Sequence, residues 1–212
     1  MAKTIRQITS PRGELLYVTI TGEGKENLSG KLQYVATLAF DPKEAAWAKL
    51  MADVDAFWAE NRPKKIKEPK STGFYAEMRK TDETDEDGEV IKEPTGRMLL
   101  AFKTGTAWPD GKSNVVKTYN SKGKPVALGD TQIGNGSIGQ IAGAYDVYVN
   151  STKQGVVVDA GVTFYLNGIK ISKLVEYSGE CEFEADDDAD GFTGEEDFDG
   201  TPAASPSAGP RL

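Results

Sequence analysis

The stretch from Glu180 to Asp199 carries eleven carboxylates, and no Lys or Arg lies between Lys173 and Arg211. Such a segment cannot bury enough apolar surface to outweigh its own charge repulsion and the entropy of ordering. Any core must therefore come from residues 1–179. The charge divides at the same place. The whole chain has 33 acidic and 25 basic residues, net −8. Without the eleven tail carboxylates and Arg211, the body keeps 22 acids and 24 bases and is close to +2. A mildly basic body joined to a concentrated anion suits a protein that binds a polyanion, with the tail imitating or competing with that ligand. The plainer alternative is a tail that only aids solubility.

At 212 residues and 38% hydrophobic content, the chain has material for one core with appendages. The division expected is a folded domain over 1–179 and a disordered acidic tail over 180–212. Cys181 is the sole cysteine, so no intrachain disulfide can form, as in a reducing cytoplasm. The N-terminal MAKTIRQITSPRGE lacks the apolar centre of a signal peptide, and no apolar run approaches membrane-spanning length. A soluble protein with no membrane role is expected. There is no histidine, which removes Ser-His and Cys-His nucleophile pairs, imidazole bases and His-ligated metals. The expectation is a binding protein rather than an enzyme, without a cofactor.

Along the chain, residues 1–13 read as a mobile basic arm. Glu14–Thr21 has strand composition, with Leu16, Val18 and Ile20 on one face and Leu15, Tyr17 and Thr19 on the other. Lys31–Phe40 is a second strand, turning Leu32, Tyr34, Ala36, Leu38 and Phe40 inward. Asp41-Pro42-Lys43-Glu44 is a helix start, with Asp41 as cap and Pro42 in the first turn. Trp47, Leu50, Met51, Val54, Phe57 and Trp58 follow at helical spacing until Pro63, giving a long helix over about 42–61 whose stripe is core packing. Lys64–Lys70 reads as an exposed basic loop. Strands are expected at Gly73–Arg79 and Gly96–Thr104, separated by an acidic turn, Asp82–Glu93. A short strand at Asn114–Asn120 leads into the turn Ser121–Lys124. Gly136–Tyr177 should hold three strand-like runs, broken at Asn150–Gln154 and Asn167-Gly168. Residues 200–212 are of low complexity. With no βαβ alternation, the body is mostly β, a small barrel or sandwich.

Chemistry resides in aromatics interleaved with lysines, which suit a single strand of nucleic acid: charge follows the phosphates and rings stack on unpaired bases. Alternation over Ile138–Asn150 puts Tyr148 on the polar face, where its ring can serve as a platform. Tyr17 and Tyr119 are similar candidates, and Trp108 lies in a Trp-Pro-Asp-Gly loop. Cations at strand ends and loops that could line the same surface are Lys31, Arg97, Lys103, Lys112, Lys117, Lys122, Lys124 and Lys153. Three other patterns are set aside. Asp186–Gly191 copies half of a calcium loop, but no helical pattern flanks it. Gly134–Gly139 lacks the Gly-Lys-Ser/Thr ending of a phosphate loop. Asp85 and Asp87 sit in a turn, where nothing would shift their pKa.

These residues resemble the replicative single-stranded DNA-binding proteins of tailed bacteriophages, the OB-fold kind used by T-odd coliphages. The resemblance rests on Leu32–Phe40 leading into the Asp41-Pro42 helix, Tyr119–Lys124, Gly134–Ser137, the strand with Tyr145 and Tyr148, and Val162–Tyr177. It implies an OB barrel with one inserted helix, sequence-independent binding of single-stranded DNA in phage replication, recombination and repair, and residence in the cytoplasm of the infected bacterium. By position, Tyr148 matches an aromatic DNA contact of that family, and Lys31 falls about one residue from a DNA-binding arginine. The DNA-binding set expected is Lys31, Lys103, Trp108, Lys117, Tyr119, Lys122, Lys124, Tyr148 and Lys153. The resemblance further implies that the tail, through Glu184, Asp186, Asp187, Asp188, Phe192, Asp197 and Phe198, contacts a phage or host DNA polymerase or helicase; a homodimer is left open. Relatives end in an aromatic residue directly after the acidic run, whereas here Asp199–Leu212 follow Phe198, so Phe192 and Phe198 are the substitutes. The alternative from another class is a virion structural or decoration protein without DNA affinity.

Overall fold

The computed structural model describes residues 5–177, apart from 28, 85–87 and 130. The elements follow in the order β1 (Arg6–Thr9), β2 (Gly13–Thr19), β3 (Lys25–Glu26), β4 (Leu32–Phe40), α1 (Ala45–Asn61), β5 (Phe74–Thr84), β6 (Val90–Gly105), β7 (Lys117–Tyr119), β8 (Ser137–Ser151) and β9 (Val157–Lys173). The tail residues singled out above lie outside the described residues, as do Asp85 and Asp87.

Five strands close on themselves: β2 pairs with β4, β4 with β6, β6 with β9, β9 with β8, and β8 with β2. Counted among themselves they run 1-2-3-5-4-1, and the third and fifth meet in parallel at Lys103 and Tyr165. That is the order of an OB barrel. The fold class is as expected: mostly β, a closed barrel and one long helix.

Side-chain alternation explains the barrel wall. On β4, Tyr34, Ala36, Leu38 and Phe40 enter the core, while Leu32 at the strand start stays exposed. The helix supplies Trp47, Leu50, Val54, Phe57 and Trp58 to the same core. Phe40 stacks on Trp47 at 3.8 Å, and Phe57 meets Tyr145 edge-on at 4.9 Å. Both buried indoles keep a partner for N–H: Trp47 donates to the Arg12 carbonyl and Trp58 to that of Lys67.

Besides Leu32, which was expected to turn inward, five sequence expectations are corrected. The N-terminal segment is no mobile arm over its described length, because β1 pairs with β8, from Arg6 opposite Tyr145 to Thr9 opposite Ala142. Ser10, buried, donates its N–H to the Ile141 carbonyl and accepts the Ile141 N–H on its hydroxyl.

The assignment of faces on β2 is reversed at Leu16. Leu15 and Ile20 lie in the main core, whereas Leu16 joins Ala39 and Leu99 in a separate small cluster. A bulge between Leu16 and Thr19 explains the change of parity.

The helix begins at Ala45, not Pro42, because Asp41 caps a turn, accepting the Lys43 N–H at 2.8 Å, rather than the helix itself. Much of the acidic turn is strand, since β5 and β6 form a hairpin whose pairing continues to Thr84 opposite Val90. Finally, Asn167-Gly168 is not a turn. β8 and β9 are two long strands, and their register steps from Gly143–Leu166 to Ala142–Gly168, leaving Asn167 as a bulge.

Candidate nucleic-acid interface

The expected site residues fall into two groups on the outside of the barrel. At one end, β7 runs parallel to β9, with Lys117 beside Gly168 and Tyr119 beside Lys170. Between them opens a recess of about 430 Å³, floored by Ala142, Leu166 and Gly168 and walled by Trp108, Lys117 and Tyr119. Trp108 is 55% exposed but held firmly by its turn. Its N–H donates to the Lys112 carbonyl, the Gly111 N–H donates back to its own carbonyl, and Asn114 ties the loop to β6 through the Thr104 hydroxyl and the Gly105 carbonyl. An exposed indole on a braced turn loses little entropy when a flat ligand stacks on it.

The lysines gather at this end. Asn120 accepts the N–H groups of Lys122 and Lys124 on its side-chain oxygen, which fixes the tight turn that presents both exposed cations beside Tyr119. Lys31 is held the same way by Asn27 and borders a second recess with Gln33, Gly105 and Thr106, next to the Trp108 loop. Lys103 projects from β6, opposite Val35 and beside Tyr165. None of Lys31, Lys103, Lys117, Lys122 and Lys124 forms an ion pair among the described residues.

Tyr148 stands at the other end of β8. Its ring covers Gly161, where a Cβ would lie 2.8 Å from the ring and from its hydroxyl. Gly161 is seven residues from Gly168 along β9, roughly 23 Å at about 3.3 Å per residue. Tyr148 and Trp108 therefore stand apart and are not walls of one pocket. The local charge also differs. Lys70 is bound to Asp159 at 2.8 Å, and Asn150 donates to the same carboxylate. The Lys70 hydrogen bond holds Asp159 below its ordinary pKa. Lys153 lies beyond, exposed in the turn from Thr152 to Val156. Two cations expected from sequence to line the surface are already occupied: Lys112 pairs with Asp110, and Arg97 holds Glu77 through two hydrogen bonds and also bonds Glu14.

Tyr165 bridges the two groups. It is 40% exposed, opposite Ala144 and beside Lys103. Partial burial, and then the Asp146 carboxylate, raise its hydroxyl pKa, so it remains neutral at physiological pH. Sequence reasoning missed it. The alternation of Val162, Phe164 and Leu166 into the core would have turned it outward, but the supposed break at Asn167 obscured the strand.

A search of solved structures finds gp2.5, the single-stranded DNA-binding protein of bacteriophage T7, at a TM-score of 0.53 and 18% identity over 91% of this chain and 99% of that one. The barrel shares the gp2.5 fold. Two structures of the single-stranded DNA-binding protein of bacteriophage Enc34, one truncated at the C-terminus and one with single-stranded DNA, align at TM-scores of 0.48 and 0.49. Both are 12% identical over 79% of this chain, covering 85% and 86% of theirs. No family model and no curated protein sequence matches the chain. Likeness to gp2.5 at this identity establishes the fold, and the residues above bear on what the barrel does.

Proposed function

We propose that this chain binds single-stranded DNA without reading its sequence, as an accessory of phage replication and recombination in the host cytoplasm. The observation that carries the reading is the braced, exposed Trp108 lining one recess with Tyr119, near lysines that form no ion pair among the described residues. Such a surface can stack bases of any identity while its cations follow the phosphates. The name of gp2.5 adds support at the level of fold. The strand would enter at Lys31, Trp108, Lys117, Tyr119, Lys122 and Lys124, pass Lys103 and leave by Tyr148 and Lys153. The role is binding rather than catalysis.

The acidic tail, residues 180–212, competes with DNA for this basic surface in the same proposal, and on displacement is free to contact a polymerase or helicase. Its motive is the charge division at residue 179. The test is a salt titration of binding to oligo-dT with the full chain and a 1–179 truncation. Salt-sensitive binding that tightens on truncation supports both statements. Unchanged low-salt affinity on truncation removes the competition, and no binding by either protein at low salt removes the DNA assignment and favours a virion protein.

A further inference from the structure

Tyr17 is the one non-glycine residue with positive φ, at +52°, among the described residues. For an aromatic side chain this is a strained backbone, kept only where its surroundings over-determine it. The surroundings do so. The Tyr17 N–H donates to the side-chain oxygen of Asn135 at 2.8 Å, across 118 residues of sequence. The result is a reversal of direction. Alternation from buried Leu15 would send residue 17 into the core, but the bulge turns its ring outward, where it is 63% exposed.

The surface it reaches is a continuation of the interface. Leu16, Ala39 and Leu99 form an apolar floor beside Thr37. Tyr75, on β5 opposite Leu99, is 45% exposed on the same outer face as this cluster, which Leu16 beside Tyr17 joins from β2. Lys103, which forms no ion pair among the described residues, stands one alternation along β6 from Ala101 on the same outer face, between this floor and Tyr165. Two exposed tyrosines above an apolar floor, with the Lys103 cation on the path to Trp108, form a place for a flat ring attached to a phosphate chain.

We propose that Tyr17, with Tyr75 beside it, is a second base-stacking platform, on which nucleobases of a bound single strand sit beyond Lys103. The inference rests on the DNA-binding reading above and extends the strand's path over β2, β4 and β5. The strained bulge is then the device that takes a tyrosine out of the core and presents it to a base.

The experiment uses the full-length chain, Tyr17→Gly and Tyr17→Phe, each titrated against oligo-dT and melted. Glycine accepts the positive φ without strain, so Tyr17→Gly should keep Tm or raise it by roughly 2–4 °C while weakening binding roughly five- to a hundredfold. Tyr17→Phe should bind within about twofold of wild type, because stacking needs the ring and not the hydroxyl. Photo-crosslinking of the wild-type chain to an oligo-dT strand containing 5-iodouracil should label Tyr17 or Tyr75, a readout independent of any variant's folding. Unchanged affinity in Tyr17→Gly, a fall in its Tm, or crosslinks confined to Trp108 and Tyr119 would each overturn the inference and leave DNA binding standing. A wild-type chain that binds no oligo-dT would remove both.

Discussion

Trp108 is exposed and Tyr148 half-buried, and they differ in what else they support. Trp108 projects from a turn braced by backbone bonds, so its ring carries little of the fold. Replacing it with Ala should weaken oligo-dT binding by about 1–3 kcal/mol and change stability by less than about 0.5 kcal/mol. Tyr148 shields Gly161 in the middle of a strand, so Tyr148→Ala should lower Tm by roughly 2–4 °C as well as weaken binding, and Tyr148→Phe should preserve both. Fluorescence anisotropy beside thermal melts separates the cases. Trp108 was legible in the sequence because an indole in a Trp-Pro-Asp-Gly turn has no core to enter. Alternation put Tyr148 on the polar face, but it is half-buried over Gly161 while Val149, expected on the face of Tyr145, is exposed. Its distance from Trp108 was not legible either, since that depends on which strands become neighbours in a closed barrel.

The elements show the same limit. α1 could be read from its apolar spacing and from Pro63, and its start moved by three residues because Asp41 found a nearer amide to bond. Tyr34, Ala36, Leu38 and Phe40 were placed correctly because nothing interrupts the pleat of β4. Bulges defeated the reading elsewhere. At Leu16 and at Asn167 one extra residue changes which side chains face inward, and a single sequence gives no count of the residues on the opposing strand. The second bulge supplies a prediction. Gly143 sits at the register step, where a Cβ would lie 2.0 Å from the Tyr165 carbonyl oxygen. Gly143→Ala must push two paired backbones apart, and denaturant unfolding should show a loss on the order of 3 kcal/mol.

For the whole molecule, two electrostatic responses follow. The Arg97 guanidinium, through its hydrogen bond to Glu77, lowers that carboxyl from its ordinary 4.5 to about 2 while joining β5 and β6, and Glu14 brings in β2. Because the folded pKa lies below the unfolded one, this contribution is complete above pH 4.5 and is lost as pH falls toward 2. Unfolding midpoints measured from pH 7 to 2.5 should decline through that window, and Arg97→Gln should flatten the decline. Binding should respond to salt in a graded way. If Lys31, Lys103, Lys117, Lys122 and Lys124 each neutralise a phosphate, the log–log salt slope is about −3.5, and replacing Lys122 and Lys124 with Gln reduces its magnitude by about 1.4.

The pairing of β1 with β8 has a consequence for the chain as it is made. Arg6 meets Tyr145, a partner synthesised about 140 residues later, which at ribosomal rates is a delay of roughly 7–30 s. Leu15 can meet Leu38 on β4 early, but its other neighbour, Ser137 on β8, is also made late. The nascent chain therefore carries β1 and one edge of β2 unpaired for most of its synthesis, the period in which a ribosome-associated chaperone has something to hold.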